Sequence, residues 1–317
     1  MKIKKTALTV AICLALVATT AISAFAISSI VKEKNPYQLA VEKNISISDI
    51  DTEKNFKYTE FDSNEKINND NHISTEIIDE LSNDPKINIY KKMLNSIDYF
   101  NEVELTLETS MLGNEKATIR YQTNIDEGYA YESVSENGVL VSETYSEPNS
   151  TYLTFVDNTV RSYNQQYLGS FKRSDTPYIP LASRIYTEED GIPCYVYRRN
   201  VTNCPLASYS LVPQEMTFSY LKDFDNWEIS DDEVEYLGRS CVKIDGKTTP
   251  YIANKHSSDT FTMLVDLETG ILMKFEGAKD GNTANYITVT DCVFGKTRST
   301  IKQFNVNKYT SYTEVFN

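Results

Sequence analysis

The spacing of hydrophobic positions changes near residue 100, and this change predicts one helix followed by a series of strands. Four apolar residues follow the i, i+3, i+4, i+7 spacing of a single helix face: Tyr90, Met93, Leu94 and Ile97. Asp84 is a favourable N-cap residue, and Pro85 follows it at the first helical position. We therefore predict a helix over about residues 85–98, with Lys91 and Lys92 off the apolar stripe.

After the predicted helix, apolar and polar residues alternate with a period of two. Val103, Leu105 and Leu107 alternate with polar residues, as in a strand that is buried on one face. The dipeptide Asn137-Gly138 is a strong hairpin signal and should join strands 129–135 and 139–145. Further strands are predicted at 117–122, 151–156 and 159–168, and in the last third of the chain at 227–229, 233–244, 260–267, 271–276 and 285–294.

The segment 170–212 interrupts the strand pattern with four prolines and two cysteines, and it predicts an irregular excursion. Residues 213–224 have apolar side chains spaced by four and favour a short helix. Together these elements predict one α+β domain over 85–317, built on an antiparallel sheet with helices on one side.

The first 26 residues have the composition of an export signal. Three lysines precede an uncharged apolar run over 7–18, and Ala24 and Ala26 provide the small residues of a cleavage site before Ile27. An uncleaved membrane anchor is the alternative, because 6–31 carries no charge and is long enough to span a bilayer. In either case we expect a chain that is secreted or tethered at the extracellular face of the cytoplasmic membrane.

Residues 27–84 are interpreted as an acidic, polar linker that should be largely disordered, since its few apolar residues cannot offset the entropy of ordering it. The 317-residue chain has a formal charge of −14, and loss of the three signal lysines would make it more acidic. Such a surface argues against nucleic acid as a partner, because a nucleic-acid binder needs a basic face.

A series of motifs in the last third resembles a known superfamily. The strand sequence VEYLGRSCVKI over 234–244 precedes TFTMLVDLETGILMKFE over 260–276, and KDGN over 279–282 follows. This order resembles the superfamily of the LolA lipoprotein carrier and the periplasmic sigma-factor regulators RseB and MucB. The opening KMLNSIDYF over 92–100 also resembles exported proteins of this type from low-GC Gram-positive bacteria.

The resemblance implies an antiparallel half-open β-barrel with helices on its concave side and an apolar cavity. It implies a non-enzymatic protein that binds an apolar or lipid-like ligand, with a place in envelope sensing or sigma-factor regulation. The alternative is an interaction module whose sheet edge or acidic face docks an envelope protein, such as the external part of a membrane anti-sigma factor. The residues expected to line the cavity are Tyr129, Tyr131, Tyr145, Phe155, Met263, Val265, Met273 and Phe275.

The sequence contains little that suggests catalysis, so a hydrolase is the least favoured hypothesis. The chain has two histidines, His72 and His256, which excludes a three-histidine metal centre, and we expect no cofactor and no metal. The tetrapeptide His256–Asp259 is contiguous, and such residues rarely orient one another as nucleophile, base and orienter. The acidic run over 223–235 lacks the spacing of a calcium loop and is interpreted as solvated surface.

Four cysteines remain after the signal segment, which is the even number expected of two disulfides in an exported protein. The favoured pairing is Cys194 with Cys204 and Cys241 with Cys292, because the first two lie close together in the chain and the last two lie in strands. Four unpaired thiols remain the alternative.

Overall fold

The computed structural model describes residues 84–111, 116–156, 161–166, 171–187, 193–199, 201, 203–204 and 206–311. The predicted signal segment, almost all of the predicted linker, and His72 lie outside this range. Contacts divide the chain into two compact units, with Ile179–Val196 in the smaller one and Ser63–Tyr178 and Tyr197–Asn317 in the larger one. No described helix has the length and hydropathy needed to cross a membrane.

The larger unit is built on one large sheet that is antiparallel except at one edge. Its strands are β1 (Glu102–Thr109), β2 (Ala117–Asn124), β3 (Tyr129–Glu136), β4 (Val139–Glu147), β5 (Ser150–Val156), β6 (Arg161–Gln166), β9 (Trp227–Tyr236), β10 (Arg239–Lys247), β11 (Thr260–Asp266), β12 (Leu272–Lys279), β13 (Asn282–Phe294) and β14 (Thr310–Ser311). The spatial order is β14-β6-β5-β4-β3-β2-β1-β13-β12-β11-β10-β9. Two meanders, β1–β6 and β9–β13, are thus joined through the antiparallel pair β1–β13, and β14 adds to β6 in parallel.

The smaller unit is described only between Ile179 and Val196. It contains a 3₁₀ turn at Leu181–Ser183 and two short antiparallel strands, β7 (Ile185–Thr187) and β8 (Pro193–Tyr195). The guanidinium of Arg184 donates to the carbonyls of Ile179 and Val196 at 3.4 and 3.1 Å, so this side chain holds the ends of the unit together.

The helical elements are short. They are α1 (Pro85–Leu94), α2 (Ser208–Leu211), α3 (Gln214–Met216), a π-helix at Thr217–Leu221 and α4 (Pro250–His256). Additional 3₁₀ turns occupy Ser96–Asp98, Arg173–Asp175, Phe224–Asn226 and Val306–Lys308. The π-helix packs on the sheet through the ring contact of Tyr220 with Phe275. The predicted α+β class with an open antiparallel sheet is therefore confirmed.

The predicted first helix is confirmed, including its start. The Asp84 carboxylate accepts a hydrogen bond from the Lys86 backbone N–H at 2.9 Å, as an N-cap should. The apolar stripe is buried, but Lys91 is buried as well, although its position lies off the stripe. Burial lowers the pKa of the Lys91 ammonium, because desolvation disfavours its charged form.

The predicted hairpins form, with one boundary in a different place. Asn137 and Gly138 have φ values of 51° and 79°, as a type I′ turn requires. The region 233–244, predicted as one strand, is instead divided between β9 and β10 by a turn at Leu237-Gly238, with φ values of 53° and 72°. The chain reverses at this glycine because glycine adopts positive φ at little cost.

Helix α4 occupies a region that the sequence pattern indicates only as an interstrand loop. Thr249 caps its first turn by accepting from the Ile252 N–H, and Pro250 occupies the first position. The helix ends at Ser257, which adopts a left-handed conformation with φ of 52°. The cap and the proline are signals of a helix start, but the seven-residue helix is too short to show an apolar period.

The motif series of the last third forms a clamp around the β11–β12 turn. Arg239 donates to both carboxylate oxygens of the buried Asp266, at 2.6 and 2.8 Å. Asp266 also accepts from the backbone and hydroxyl of Thr269, each at 2.7 Å. Burial raises the pKa of Asp266, but these bonds outweigh it and hold the pKa below its usual value. Lys92 of α1 donates to the Leu267 carbonyl at 2.7 Å, which ties the helix to the hairpin.

Gly270 provides a test of this clamp. Its φ is +73°, and a Cβ there would lie 2.6 Å from the carbonyl carbon and oxygen of Lys92. Gly238 has φ of +72° with nothing within 4 Å of a Cβ. We expect Gly238→Ala to cost about 1 kcal/mol in free energy of unfolding from backbone strain, and Gly270→Ala to cost about 1–3 kcal/mol more from the collision. Urea unfolding of both variants measures the difference, and equal losses would contradict the packing of α1 on this turn.

Candidate functional site

The two faces of the sheet differ in chemistry. One carries an apolar row across β9 to β13, whose directly paired residues are Ile229, Ile244, Met263, Phe275 and Ile287. On the first meander, Leu107, Ile119 and Val134 continue this apolar face. The opposite face of that meander carries a polar and aromatic row, Glu104, Gln122, Tyr131, Tyr145 and Tyr152.

The residues predicted to line a cavity are divided between these faces, so the structure does not bring them into one pocket. Phe155, Met263, Val265 and Phe275 lie on the apolar face, and Met273 lies at a β12 bulge. Six of the eight predicted residues belong to the buried core: Tyr131, Tyr145, Met263, Val265, Met273 and Phe275. Tyr129, Tyr131 and Tyr145 lie on the polar and aromatic face.

Three tyrosines of the polar and aromatic face, Tyr131, Tyr145 and Tyr152, contact the C-terminal segment 296–311. Tyr131 donates to the buried Glu143 at 2.5 Å and accepts from Lys302 at 2.9 Å. Phe304 stacks on Tyr152 with ring centroids 4.0 Å apart. Burial and the neighbouring Glu143 raise the pKa of the Tyr131 phenol. The C-terminal segment therefore covers this face with a matched set of aromatic and charged contacts.

A narrow crevice lies on the apolar face. It lies between the first strands and the segment 206–209, and its walls are so close together that essentially no volume large enough for a water molecule remains between them. Its lining is almost wholly apolar: Leu107, Thr109, Met111, Ile119, Leu206, Tyr209 and Ile287. None of these residues was predicted as a site residue, because they come from four segments distant in sequence.

A buried carboxylate anchors the segment that closes this crevice. Glu132 of β3 is 1% exposed, and its Oε2 accepts from the N–H groups of Leu206 and Ala207 at 3.1 and 2.7 Å. Desolvation raises the pKa of Glu132 to about 7, although the two N–H bonds act in the opposite direction. Leu206 is a wall of the crevice, so the ionisation of Glu132 is coupled to the position of that wall.

The sign of this coupling follows from proton linkage. The closed, buried Glu132 binds a proton more tightly than an exposed glutamate with its ordinary pKa of 4.5. Closure therefore becomes less favourable as pH rises from about 4.5 to about 7, and remains so above that range. Raising the pH favours release of the 206–207 segment from β3.

The other candidate chemistry is not assembled into a catalytic or metal site. His256 lies at the end of α4 beside Tyr220, with ring centroids 5.9 Å apart, and desolvation lowers its pKa. The acidic run lies largely on β9, where Glu228, Asp231, Asp232, Glu233 and Glu235 are exposed. Within the described ranges, no three His, Cys, Asp or Glu side chains are grouped to hold a metal ion.

The cysteines are distributed over both units. Cys194 belongs to the smaller unit and the buried Cys204 to the larger one, and their predicted pairing stays a prediction. Cys241 on β10 and Cys292 on β13 are free thiols in the structure, so the second predicted bridge is not formed here. Two strands separate β10 from β13 in the sheet, and burial raises the pKa of both thiols.

Solved structures resemble the chain at low sequence identity. An uncharacterized conserved protein from Thermus thermophilus has 6% identity and a TM-score of 0.37, and the match covers 72% of this chain and all of that one. For the MucA/MucB complex of Pseudomonas aeruginosa the identity is 12% and the TM-score 0.38, over 68% of this chain and 59% of that one. For the lipoprotein LppX of Mycobacterium tuberculosis the identity is 9% and the TM-score 0.34, and the match covers 66% of this chain and 95% of that one. No family model and no curated protein matches the sequence.

Glu132 provides the pH test of the crevice wall. In Glu132→Gln we expect greater stability than the wild type at pH 8 and little difference near pH 5, because the neutral amide avoids burying a charge. Between pH 5 and pH 8, the difference in free energy of unfolding between Glu132→Gln and the wild type should change by on the order of 2–3 kcal/mol. Urea unfolding across this pH range measures it, with the exposed Glu127→Gln as the control. Parallel pH curves for the wild type and Glu132→Gln would contradict the assignment.

Proposed function

We propose that this chain is an exported, non-enzymatic binding protein that holds an apolar, lipid-like ligand against the apolar face of its sheet. The observation that carries the proposal is the crevice at the Leu107 and Ile119 end of that face, whose outer wall is Leu206 and Tyr209. Apolar lining with few hydroxyl groups favours a ligand that is recognised by burial of hydrocarbon surface rather than by charge.

Ligand entry requires the wall to move. The crevice as it stands has essentially no volume large enough for a water molecule, whereas typical small-molecule pockets have roughly 300–1,000 Å³. The wall segment has little regular structure, because only its second half belongs to the four-residue helix α2, and its first half is bonded to the sheet through Glu132. Displacement of 206–209 would lengthen the crevice along the apolar row, and Glu132 would return to solvent.

The proposed location follows from the first 26 residues, whose basic start and apolar run are typical of an export signal or an anchor. A protein at the outer face of the cytoplasmic membrane would meet acyl chains directly. A role in envelope sensing is consistent with a binding site whose closure depends on pH.

The crevice can be blocked from its rim. Met111 is half-buried in the crevice lining, so Met111→Trp should block the space that opens when the wall moves, without changing the core. We expect at least a tenfold loss of affinity for octanoic acid, measured by isothermal titration calorimetry on the purified chain, which corresponds to about 1.4 kcal/mol. Val139→Trp is the control, because Val139 is 65% exposed on the β3–β4 hairpin and is not part of the lining.

Unchanged binding in Met111→Trp would refute the crevice as the site. Absence of octanoic acid binding to the wild-type chain at any pH between 5 and 8 would refute the lipid-like ligand. Native mass spectrometry of the freshly purified chain adds an independent measurement, since a co-purified acyl ligand should be present in the wild type and lost in Met111→Trp.

A second candidate function is supported by the open edge of the sheet at β9. This ten-residue strand is the last in the sheet order and has five exposed carboxylates. Its outer backbone can pair with an extended segment, and its charge favours a basic one. An envelope protein, such as the external part of a membrane anti-sigma factor, would bind here by adding a strand.

The edge can be tested by reversing one charge. Asp232→Lys should weaken binding of an extended lysine-rich peptide about tenfold at low ionic strength, whereas Glu127→Lys, the same charge change off the edge, should have little effect. Fluorescence anisotropy of the labelled peptide measures both. Equal losses in the two variants would show nonspecific attraction to an acidic surface and refute the edge site.

A further inference from the structure

The C-terminal segment 296–311 has the opposite charge from the chain as a whole. It contains four basic residues and no acidic residue, whereas the whole chain has a formal charge of −14. Its contacts reach across the first meander, from the Glu102 carboxylate on β1 to the short parallel pairing of β14 with β6. A positively charged segment is thus placed across the polar and aromatic face.

Four glutamate side chains of this face accept hydrogen bonds from the segment, and they are Glu102, Glu104, Glu143 and Glu147. Three of the bonds come from backbone N–H groups, those of Thr297, Arg298 and Phe304. The distances to the Glu104 and Glu147 carboxylates are 2.9 and 3.2 Å. Every residue except proline has a backbone N–H, so these bonds recognise an unpaired backbone rather than a particular sequence.

Two side chains of the segment make the contact selective. Lys302 Nζ lies 2.9 Å from the Tyr131 hydroxyl, 3.6 Å from the Glu143 carboxylate and 4.4 Å from the centroid of the Tyr131 ring. The Phe304 ring stacks on Tyr152 with a centroid distance of 4.0 Å and 9° between the ring planes. The face therefore recognises a cation and, two residues later, a flat aromatic ring.

The segment is exposed, whereas the groups beneath it are buried. Tyr131, Glu143 and Tyr145 are 5%, 5% and 6% exposed, and the Lys302 side chain is 59% exposed. Residues 296–309 form no strand, and pairing with the sheet is limited to the two residues of β14. Most of the segment is held by contacts to side chains of the face, and another extended chain with the same residues would make the same contacts.

We propose that the polar and aromatic face of the first meander is a docking site for an extended basic peptide of a partner protein, with a lysine and an aromatic residue two positions apart. The C-terminal segment 296–311 occupies this site within the same chain and is displaced when the partner binds. The glutamates hold the backbone of the peptide, Glu143 and Tyr131 bind its lysine, and Tyr152 stacks on its aromatic ring.

This site is separate from the crevice and from the β9 edge. The crevice is lined by residues of the apolar face, among them Leu107 and Ile119. Strand β9 lies at the opposite edge of the sheet from β14. A peptide on the polar and aromatic face leaves both of the other sites unobstructed.

The segment lowers the apparent affinity of any peptide added in solution. Such a peptide binds only the molecules whose face is open, so its apparent dissociation constant rises as the open fraction falls. The substitution Phe304→Ala removes the stacked ring from the segment and leaves every group of the face in place. The open fraction should therefore increase in this variant.

A labelled peptide of residues 300–311, TIKQFNVNKYTS, should bind the full-length Phe304→Ala chain about tenfold more tightly than the wild-type chain. Fluorescence anisotropy measures both affinities, and circular dichroism checks that the variant is folded. Lys302→Ala should raise the affinity in the same direction, and it provides the test if Phe304→Ala does not fold. Val306→Ala is the control within the segment, because Val306 is 50% exposed and this variant should bind as the wild type does. Equal affinities of the Phe304→Ala and wild-type chains would overturn the proposal.

Further substitutions test the specificity of the site. The Phe304→Ala form of the peptide should bind the Phe304→Ala chain about tenfold more weakly than the unchanged peptide. Adding Tyr152→Ala to the Phe304→Ala chain should remove the gain in affinity, whereas adding Asp232→Lys, on β9, should retain it. Equal binding of the two peptides, or loss of binding through Asp232→Lys, would indicate general attraction to an acidic surface and overturn the proposed site.

Sedimentation velocity tests whether a second copy of the chain is the partner. The wild-type chain should remain a monomer at the concentrations of the binding measurement. A dimer that forms as the concentration rises and is lost in Phe304→Ala would assign the face to the C-terminal segment of a second copy. That result would overturn the proposal of a separate partner protein.

Discussion

The antiparallel pairing of β1 with β13 is the interaction on which the rest of the structure depends. It joins two meanders that would otherwise be separate sheets, and it pairs residues that are nearly the length of the domain apart, from Val103 with Phe294 to Thr109 with Ile287. The bulge between Thr106 and Leu107 keeps Leu107 and Val289 on the same face. Without that register, a one-residue slip would move the apolar row of one meander to the polar face of the other.

The clamp at the β11–β12 turn and the crevice wall show two uses of buried carboxylates. Asp266 is paired with the Arg239 guanidinium and with Thr269, so its charge is compensated within the hairpin. Glu132 accepts from two backbone N–H groups, and burial raises its pKa to about 7. Because the charge of Asp266 is compensated, the β11–β12 turn is held rigidly. Glu132 is held only by backbone N–H groups, so closing the crevice wall over it costs free energy once the carboxylate is ionised.

The local parts of the fold were predictable because their signals are local. Asp84-Pro85 indicated the start of α1, Asn137-Gly138 indicated a type I′ turn, and alternation indicated the strands of the two meanders but not the short β7, β8 and β14. The errors were also local: the turn at Leu237-Gly238 lies inside one apolar-alternating run, and α4 is too short to show a period. The candidate cavity was less predictable, because alternation assigns a residue to a face of its own strand but does not say which face the helices cover.

The spacing of hydrophobic residues and the residues that favour turns are signals within a few neighbouring positions. These signals were enough to predict the class of fold from the sequence alone. The places where binding can occur depend on the folded arrangement, because each site is assembled from distant segments. The crevice unites Leu107, Leu206 and Ile287. The same holds for Tyr131 and Tyr145, whose partners Lys302 and Tyr309 come from the C-terminal segment. Whether two residues far apart in the sequence lie close together depends on the register of the sheet, and no short motif determines that register.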